Sequence, residues 1–324
     1  MLSRVAERLY WLARHMERAE NTARLVNVYS NLLLDLPKGS KVGWETLIHI
    51  TGGDQVFEET FKNKDETNVS SFLIAQKSNM GSILNSLIMA RENARTTREI
   101  IPAEAWELIN DLYLYARSNA AKSSGRSSRQ VFLKRVINSS FQLTGLLSGC
   151  MSHNHAYDFV VMGRNLERAD MTSRIIDVGV ASLMNHAKNT IDIIPYENSL
   201  WMNVLRSLNG YQMYRQHVQD RVNGEDVVDF LLLEPSFPRT VLHCLNRLVE
   251  AAGQLPNNEN SLRTVAATQR KVRDSKFSEL LDTNTQHDFI DQIQLEFAAI
   301  HNEIASTWFL KPVELQQQTQ TNAA

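Results

Sequence analysis

Between Val5 and Val26 the apolar residues Val5, Leu9, Leu12, Met16, Ala19, Ala23 and Val26 recur at alternating steps of four and three. This heptad-like spacing gives a helix an apolar seam, as when it lies along a bundle neighbour. At about 100° per residue, Tyr10, Arg14, Glu17, Asn21, Arg24 and Val28 form a second stripe on roughly the opposite side. Arg and Glu therefore stand between apolar residues on a stripe that would be solvated on a surface helix. A helix apolar on both sides is central. Its charges are then partly buried, and a buried charge has to be paired.

The charged segment occurs twice. RHMERAENTAR, Arg14 to Arg24, returns as RNLERADMTSR, Arg164 to Arg174. Leu9–Val28 aligns without a gap on Phe159–Val178, and seven of the twenty positions match, giving R-x-x-E-R-A-D/E-x-T-x-R. Internal duplication is the simplest cause, with halves at about 1–150 and 151–310. The second copy repeats the stripe as Val160, Arg164, Glu167, Met171, Arg174 and Val178, with Asp170 standing where the first has Glu20. Two such helices related by a pseudo-twofold would exchange Glu17 with Arg174 or Arg168, and Glu167 with Arg24 or Arg18. Arginine suits this because its planar fork holds a carboxylate bidentately. The same arginines could instead line a cleft and hold an anionic ligand. A third segment, Ala90 to Glu99, carries Arg91, Glu92, Arg95, Arg98 and Glu99. It either joins a shared polar centre or forms a solvated face.

The rest of the chain reads as helices, because long segments run without Gly or Pro. The first helix starts near Ser3, a good N-cap, and ends by Pro37-Lys38-Gly39. Further helices are expected around 43–50, 54–61, 69–99 (with a possible interruption at Gly81), 103–120, 129–149 and 154–187. After a connector at Ile191–Pro195 they continue at 201–219, 226–233, 239–252, 261–281 and 288–310. Residues 311–324 form a polar tail expected to be disordered. No run alternates as a strand does, so the expectation is an all-α multi-helix bundle over 1–310. In DVVDFLLLEPSFPRTVLHCL a helix ends at Glu234, two prolines frame Ser236-Phe237, and Arg239 restarts a helix. That is a rigid corner with Phe237 packed inside, or else a docking loop.

Composition excludes several classes. A net charge of −2 gives no basic face for nucleic acid. The longest stretch without Asp, Glu, Lys or Arg, Val136 to Tyr157, holds Asn, Ser, Gln and two His, so no membrane span is expected. The N-terminus lacks the apolar core of a secretory signal. Cys150 and Cys244 fit no metal spacing and read as buried thiols in a reducing cytosol. No dinucleotide, phosphate-loop, zincin or hydrolase-elbow motif is present, and no Glu-x-x-His of the di-iron kind. Glu17, Glu20, Glu167 and Asp170 each stand beside an Arg that would compete with a cation. No metal and no cofactor is therefore expected. Ser148, Cys150 and His153 lie close in sequence, but a packed thiol is the simpler reading.

Four blocks carry a resemblance: RVAERLYWLARHMERAENTARLVNVY, ARENARTTREIIPAEAWELINDLYL, MSHNHAYDFVVMGRNLERADMTSRIIDVG and FLLLEPSFPRTVLHCL. In this order they resemble the alpha-E domain family of bacterial all-helical proteins, over roughly Met1 to Leu310. The resemblance implies that Glu17, Glu92 and Glu167 match the family's characteristic glutamates. It also implies a cytoplasmic setting beside a circularly permuted ATP-grasp ligase, with a transglutaminase-like peptidase nearby. Two functions follow as expectations. One is an accessory component that binds the ligase or an anionic peptide through Arg14, Glu17, Arg18, Arg24, Glu92, Arg95, Arg164, Glu167, Arg168, Asp170 and Arg174. The other is a stand-alone enzyme with Glu17 or Glu167 as acid/base and the flanking arginines on an anionic substrate.

Overall fold

A computed structural model describes residues 3–35, 43–187, 197–275 and 283–309. The expected tail, the connector at 191–195, the break at 37–39 and the end of the 261–281 helix lie outside these residues. Fourteen α-helices are described: α1 (Ser3–Asp35), α2 (Glu45–Thr51), α3 (Asp54–Thr60), α4 (Glu66–Ile74), α5 (Ile83–Thr97), α6 (Ala103–Asn119), α7 (Arg126–Cys150), α8 (His155–Ala187), α9 (Glu197–Ser207), α10 (Tyr211–His217), α11 (Gly224–Leu233), α12 (Val241–Gly253), α13 (Glu259–Arg273) and α14 (Thr283–Trp308). There is no strand among the described residues, and the class is all-α.

The two longest helices, α1 and α8, pack against each other at the centre. On one flank α1 packs on α5 and α7, which α6 bridges; on the other, α8 packs on α12 and α14, which α13 bridges. The apolar seam of α1 is buried as its spacing requires, with Leu9, Leu12, Ala19, Ala23 and Val26 fully inside. The opposite stripe is inside too, since Tyr10, Glu17, Asn21 and Arg24 are buried. Each fully buried Leu or Phe contributes about 1.5–3 kcal/mol. Both faces of α1 therefore contribute to holding it between its partners.

Contacts climb together along the central pair. Tyr10 meets Gly163, Arg14 meets Glu167, and Leu25 and Ile175 line one small cavity, so α1 and α8 run in the same direction. Gly163 sets how close they come: a Cβ there would lie 2.1 Å from the Tyr10 carbonyl oxygen. Backbone, not a movable side chain, fills that space.

Local chemistry corrects several expected boundaries. The 69–99 helix is interrupted around Gly81, as its sequence allowed, and the gap runs from Ala75 to Ser82: Ser82 caps α5 by accepting from the Asn85 amide, and the Asn79 and Asn85 side-chain amides donate to the carbonyls of Phe72, Lys77 and Asn79. The 201–219 helix breaks after Ser207, where Asn209 takes φ 55° and the Gly210 N–H returns to Leu205 O, a left-handed C-terminal closure. The helix expected from Arg239 starts at Val241 instead, with Thr240 as its cap. Arg239 is thereby left outside the helix. Cys150 is exposed, against expectation, because it ends the solvent face of α7; Cys244 is buried.

The close approach yields a test. Gly163→Ala should destabilise the protein by roughly 2–3 kcal/mol, as overpacking does. Gly145→Ala, where a Cβ meets nothing within 4 Å, should be neutral or stabilising. Urea midpoints of the two variants against the parent chain check both.

Candidate functional site

The helix that carries each copy of the charged motif points its Glu and Arg at the other copy. Arg18 donates to Glu167 through Nε (2.5 Å) and Nη2 (3.0 Å), and Arg168 to Glu17 through Nε (2.8 Å) and Nη2 (2.9 Å). Of the exchanges expected from the sequence, these two form. Arg24 and Arg174 instead pair one turn back on their own helices, with Glu20 and Asp170. Both carboxylates are buried: Glu17 is 6% exposed and Glu167 2%.

Beyond the exchange, equivalent residues part company. Arg14 adds a third donor to Glu167, Nε to Oε2 at 2.7 Å, and lies over the Tyr10 and Trp11 rings. Its counterpart Arg164 makes no ion pair among the described residues. On Glu17 that place is taken by Arg239, whose Nη1 lies 3.3 Å from Glu17 Oε1 and 2.9 Å from Asn21 Oδ1, and whose Nη2 lies 2.9 Å from Glu20 Oε2. The sequence reading missed Arg239 as a site residue. The available signal was its place between Pro238 and Thr240, since a proline and a cap keep a residue out of the helix and free to turn inward. Thr172 Oγ1 donates to the Arg239 carbonyl (2.8 Å) and Arg168 Nη1 to that of Pro238 (3.2 Å), tying this corner to α8. Phe237 of the corner is half-buried and stacks on Phe230.

Electrostatics follow from this geometry. Burial pushes Glu167 toward the neutral acid, but Arg18 and Arg14 outweigh it and hold its pKa down at about 2. In Glu17 burial is likewise overcome, by Arg168 and Arg239, and the carboxyl stays well below its ordinary range. Burial lowers His15, with Arg18 and Arg14 nearby, and His301, with Arg14 nearby, to about 4, so neither adds charge at neutral pH. Cys244, beside the cluster, is driven up to about 12 chiefly by burial, as an inert thiol is.

A cleft of about 230 Å³ opens beside Glu17. Glu17, Glu20, Arg164, Arg168 and Arg239 form its polar wall; Leu12, Met16, Phe141, Leu147, Val160 and Phe237 form much of the other. Among the described residues the surrounding network sets seven guanidiniums (Arg14, Arg18, Arg24, Arg164, Arg168, Arg174, Arg239) against four carboxylates (Glu17, Glu20, Glu167, Asp170). The third charged segment stays apart. Because α5 turns Leu87, Ala90, Ala94 and Thr97 inward, Glu92 and Arg95 fall on its outer side, where Glu92 pairs with Arg91 and Arg95.

Elsewhere, His153 Nε2 engages the Ser148 carbonyl and its ring stacks on Tyr157, so it is turned away from any Cys150 dyad. Among the described residues the one group with ligand atoms close enough to share a cation is Asp177, His287 and Asp291. There the hydrogen bond that His287 Nδ1 donates to the Asp177 carboxylate raises the His287 pKa, and a proton satisfies the group as it stands.

Arg168→Leu strips Glu17 of its bidentate partner and should cost about 3–5 kcal/mol. Arg95→Leu, on the outer pair, should change stability by less than about 0.5 kcal/mol. Chemical denaturation of both separates a central from a solvated pair. The depressed carboxyls also set a pH dependence. Ionised Glu167 favours the folded state, so its contribution is complete above the ordinary value of 4.5 and is lost as pH falls toward about 2. Unfolding free energy should drop on the order of 3 kcal/mol across that window. The Glu167→Gln variant, less stable at neutral pH, should show a shallower drop in the same titration.

No curated protein and no solved structure matches this chain. A family does, one described as a predicted alpha-helical domain with a conserved ER motif, over residues 1–309. Glu17-Arg18 and Glu167-Arg168, the dipeptides that exchange partners at the α1–α8 crossing, fit that motif. The chain belongs to the Alpha-E family.

Proposed function

We propose that the chain is a non-catalytic binding component of an ATP-grasp-dependent system that joins or trims amide-linked peptides in the cytoplasm. Its cleft receives an anionic, peptide-like ligand, and its outer helices meet the ligase. A transglutaminase-like peptidase is a second partner in this reading. The observation that carries it is the excess of guanidinium over carboxylate beside a cleft of ligand size. An anion entering there finds positive charge already in place.

The stand-alone enzyme is weaker on the same geometry. A general acid near neutral pH needs a raised carboxyl pKa, and Arg18 and Arg14 hold Glu167 at about 2. A carboxylate saturated by arginine donors is also a poor base. Binding, not proton transfer, is what such a site does well.

The test is a tagged full-length chain used as bait at moderate ionic strength in a lysate of its own cells. An ATP-grasp ligase should be captured, and capture should weaken as salt rises. Turnover of a peptide by the purified chain alone, lost in Glu167→Gln, would overturn this reading in favour of the enzyme.

A further inference from the structure

The two copies of the motif differ at one guanidinium. Arg14 is consumed by Glu167, whereas its counterpart Arg164 has been displaced from Glu17 by Arg239. The displaced side chain lines the cleft. Its Nε is buried with no hydrogen-bond partner, and its charge is supported by the field of Glu17, with which it makes no ion pair, and by Tyr157. Burial and the neighbouring Arg168 both disfavour that charge. A cation left in this condition is costly unless something completes it.

The neighbours have less to offer. Arg168 uses Nε and Nη2 on Glu17 and Nη1 on the Pro238 carbonyl; Arg239 divides Nη1 and Nη2 among Glu17, Asn21 and Glu20. One guanidinium with spare donors matches one carboxylate, held by two parallel hydrogen bonds. A phosphate dianion would call for more donors than remain. Opposite stand Leu12, Met16, Leu143, Leu147 and Phe237, which suit an apolar group attached close to the anion. At about 230 Å³ the cleft is smaller than the roughly 300–1,000 Å³ of sites that enclose drug-sized ligands, so one or two residues fill it. Phe141 stands exposed on its rim, on α7, a helix whose sequence contains no Asp or Glu to repel the rest of an acidic chain.

We infer that Arg164 anchors the free terminal carboxylate of a peptide whose last residue is apolar, with that side chain in the cleft. This rests on the binding role proposed above and names the ligand class and the anchor. Arg164 is a binding residue here, while Arg14 keeps a structural task.

The experiment uses the full chain. N-acetyl-Ala-Leu with a free carboxylate, the same peptide as its amide, and inorganic phosphate are each titrated calorimetrically into the parent protein and into Arg164→Gln and Arg14→Gln. Melting temperatures are recorded alongside. The peptide acid should bind and the amide should not. Arg164→Gln should weaken the acid about tenfold or more, the loss expected for a charge-assisted pair. It should melt no lower than the parent, because no ion pair is lost with it and a buried Nε without a partner is removed. Arg14→Gln should melt lower and, once folded, keep the preference for the acid. Equal binding of the acid by Arg164→Gln, or a melting loss matching that of Arg14→Gln, overturns the anchor and leaves the cleft as the binding site. Equal binding of acid and amide, or preference for phosphate, overturns the ligand class. Binding of none of the three overturns the inference, and ligase capture then judges the broader role separately.

Discussion

Two carboxylates, Glu17 and Glu167, are buried in the seam between parallel helices, and each depends on arginines of the other helix. Removing such an ion from water costs several kcal/mol, which only good bidentate geometry offsets. The geometry exists in one register. A slip of one residue would swing Arg18 and Arg168 out of reach and present Ala19 and Ala169 to the carboxylates instead. Apolar helix faces tolerate a range of alignments, but an unpaired buried carboxylate does not. The exchange therefore contributes less to net stability than to the choice of a single alignment. Gly163 makes the alignment physically possible, because any side chain there would enter the Tyr10 backbone.

Everything else is arranged around that pair. The helices flanking α1 and α8 cover their apolar seams. The corner between α11 and α12 closes the centre from outside, and its Arg239 reaches both Glu17 and Glu20. This third contribution breaks the equivalence of the two motif copies. On the Glu167 side every arginine is consumed and the space is filled by Tyr10, Trp11 and His301. On the Glu17 side Arg164 is released and a cleft remains. The same exchange that specifies the fold leaves, on one side, a guanidinium without an ion-pair partner at the wall of a cleft.

Several features were legible in the residues. Steps of four and three on α1 announced two buried faces, and charges on the second face required partners. Placing equivalent residues across a common axis narrowed the partners of Glu17 to Arg174 or Arg168 and those of Glu167 to Arg24 or Arg18, and the second of each pair forms. The third segment was ambiguous in the sequence. Arg91, Glu92 and Arg95 have the same composition as the central charges, and only the apolar face of α5 decides that they look outward. Gly81 marked a possible interruption of the 69–99 helix, but not its extent from Ala75 to Ser82, which is set by side-chain hydrogen bonds to backbone carbonyls that helical periodicity does not record.

The sequence by itself determined an all-helical chain, a central charged helix present twice, and the need for those charges to find one another. It could do so because helical periodicity and the cost of a buried charge are local and general. Only the tertiary structure decided which arginine meets which glutamate, that Arg239 arrives from more than two hundred residues away, and that Arg164 is the one displaced. These depend on where a capped corner sets a single side chain relative to two helices packed in register. Such a position is fixed by long-range packing, and no spacing along the chain encodes it.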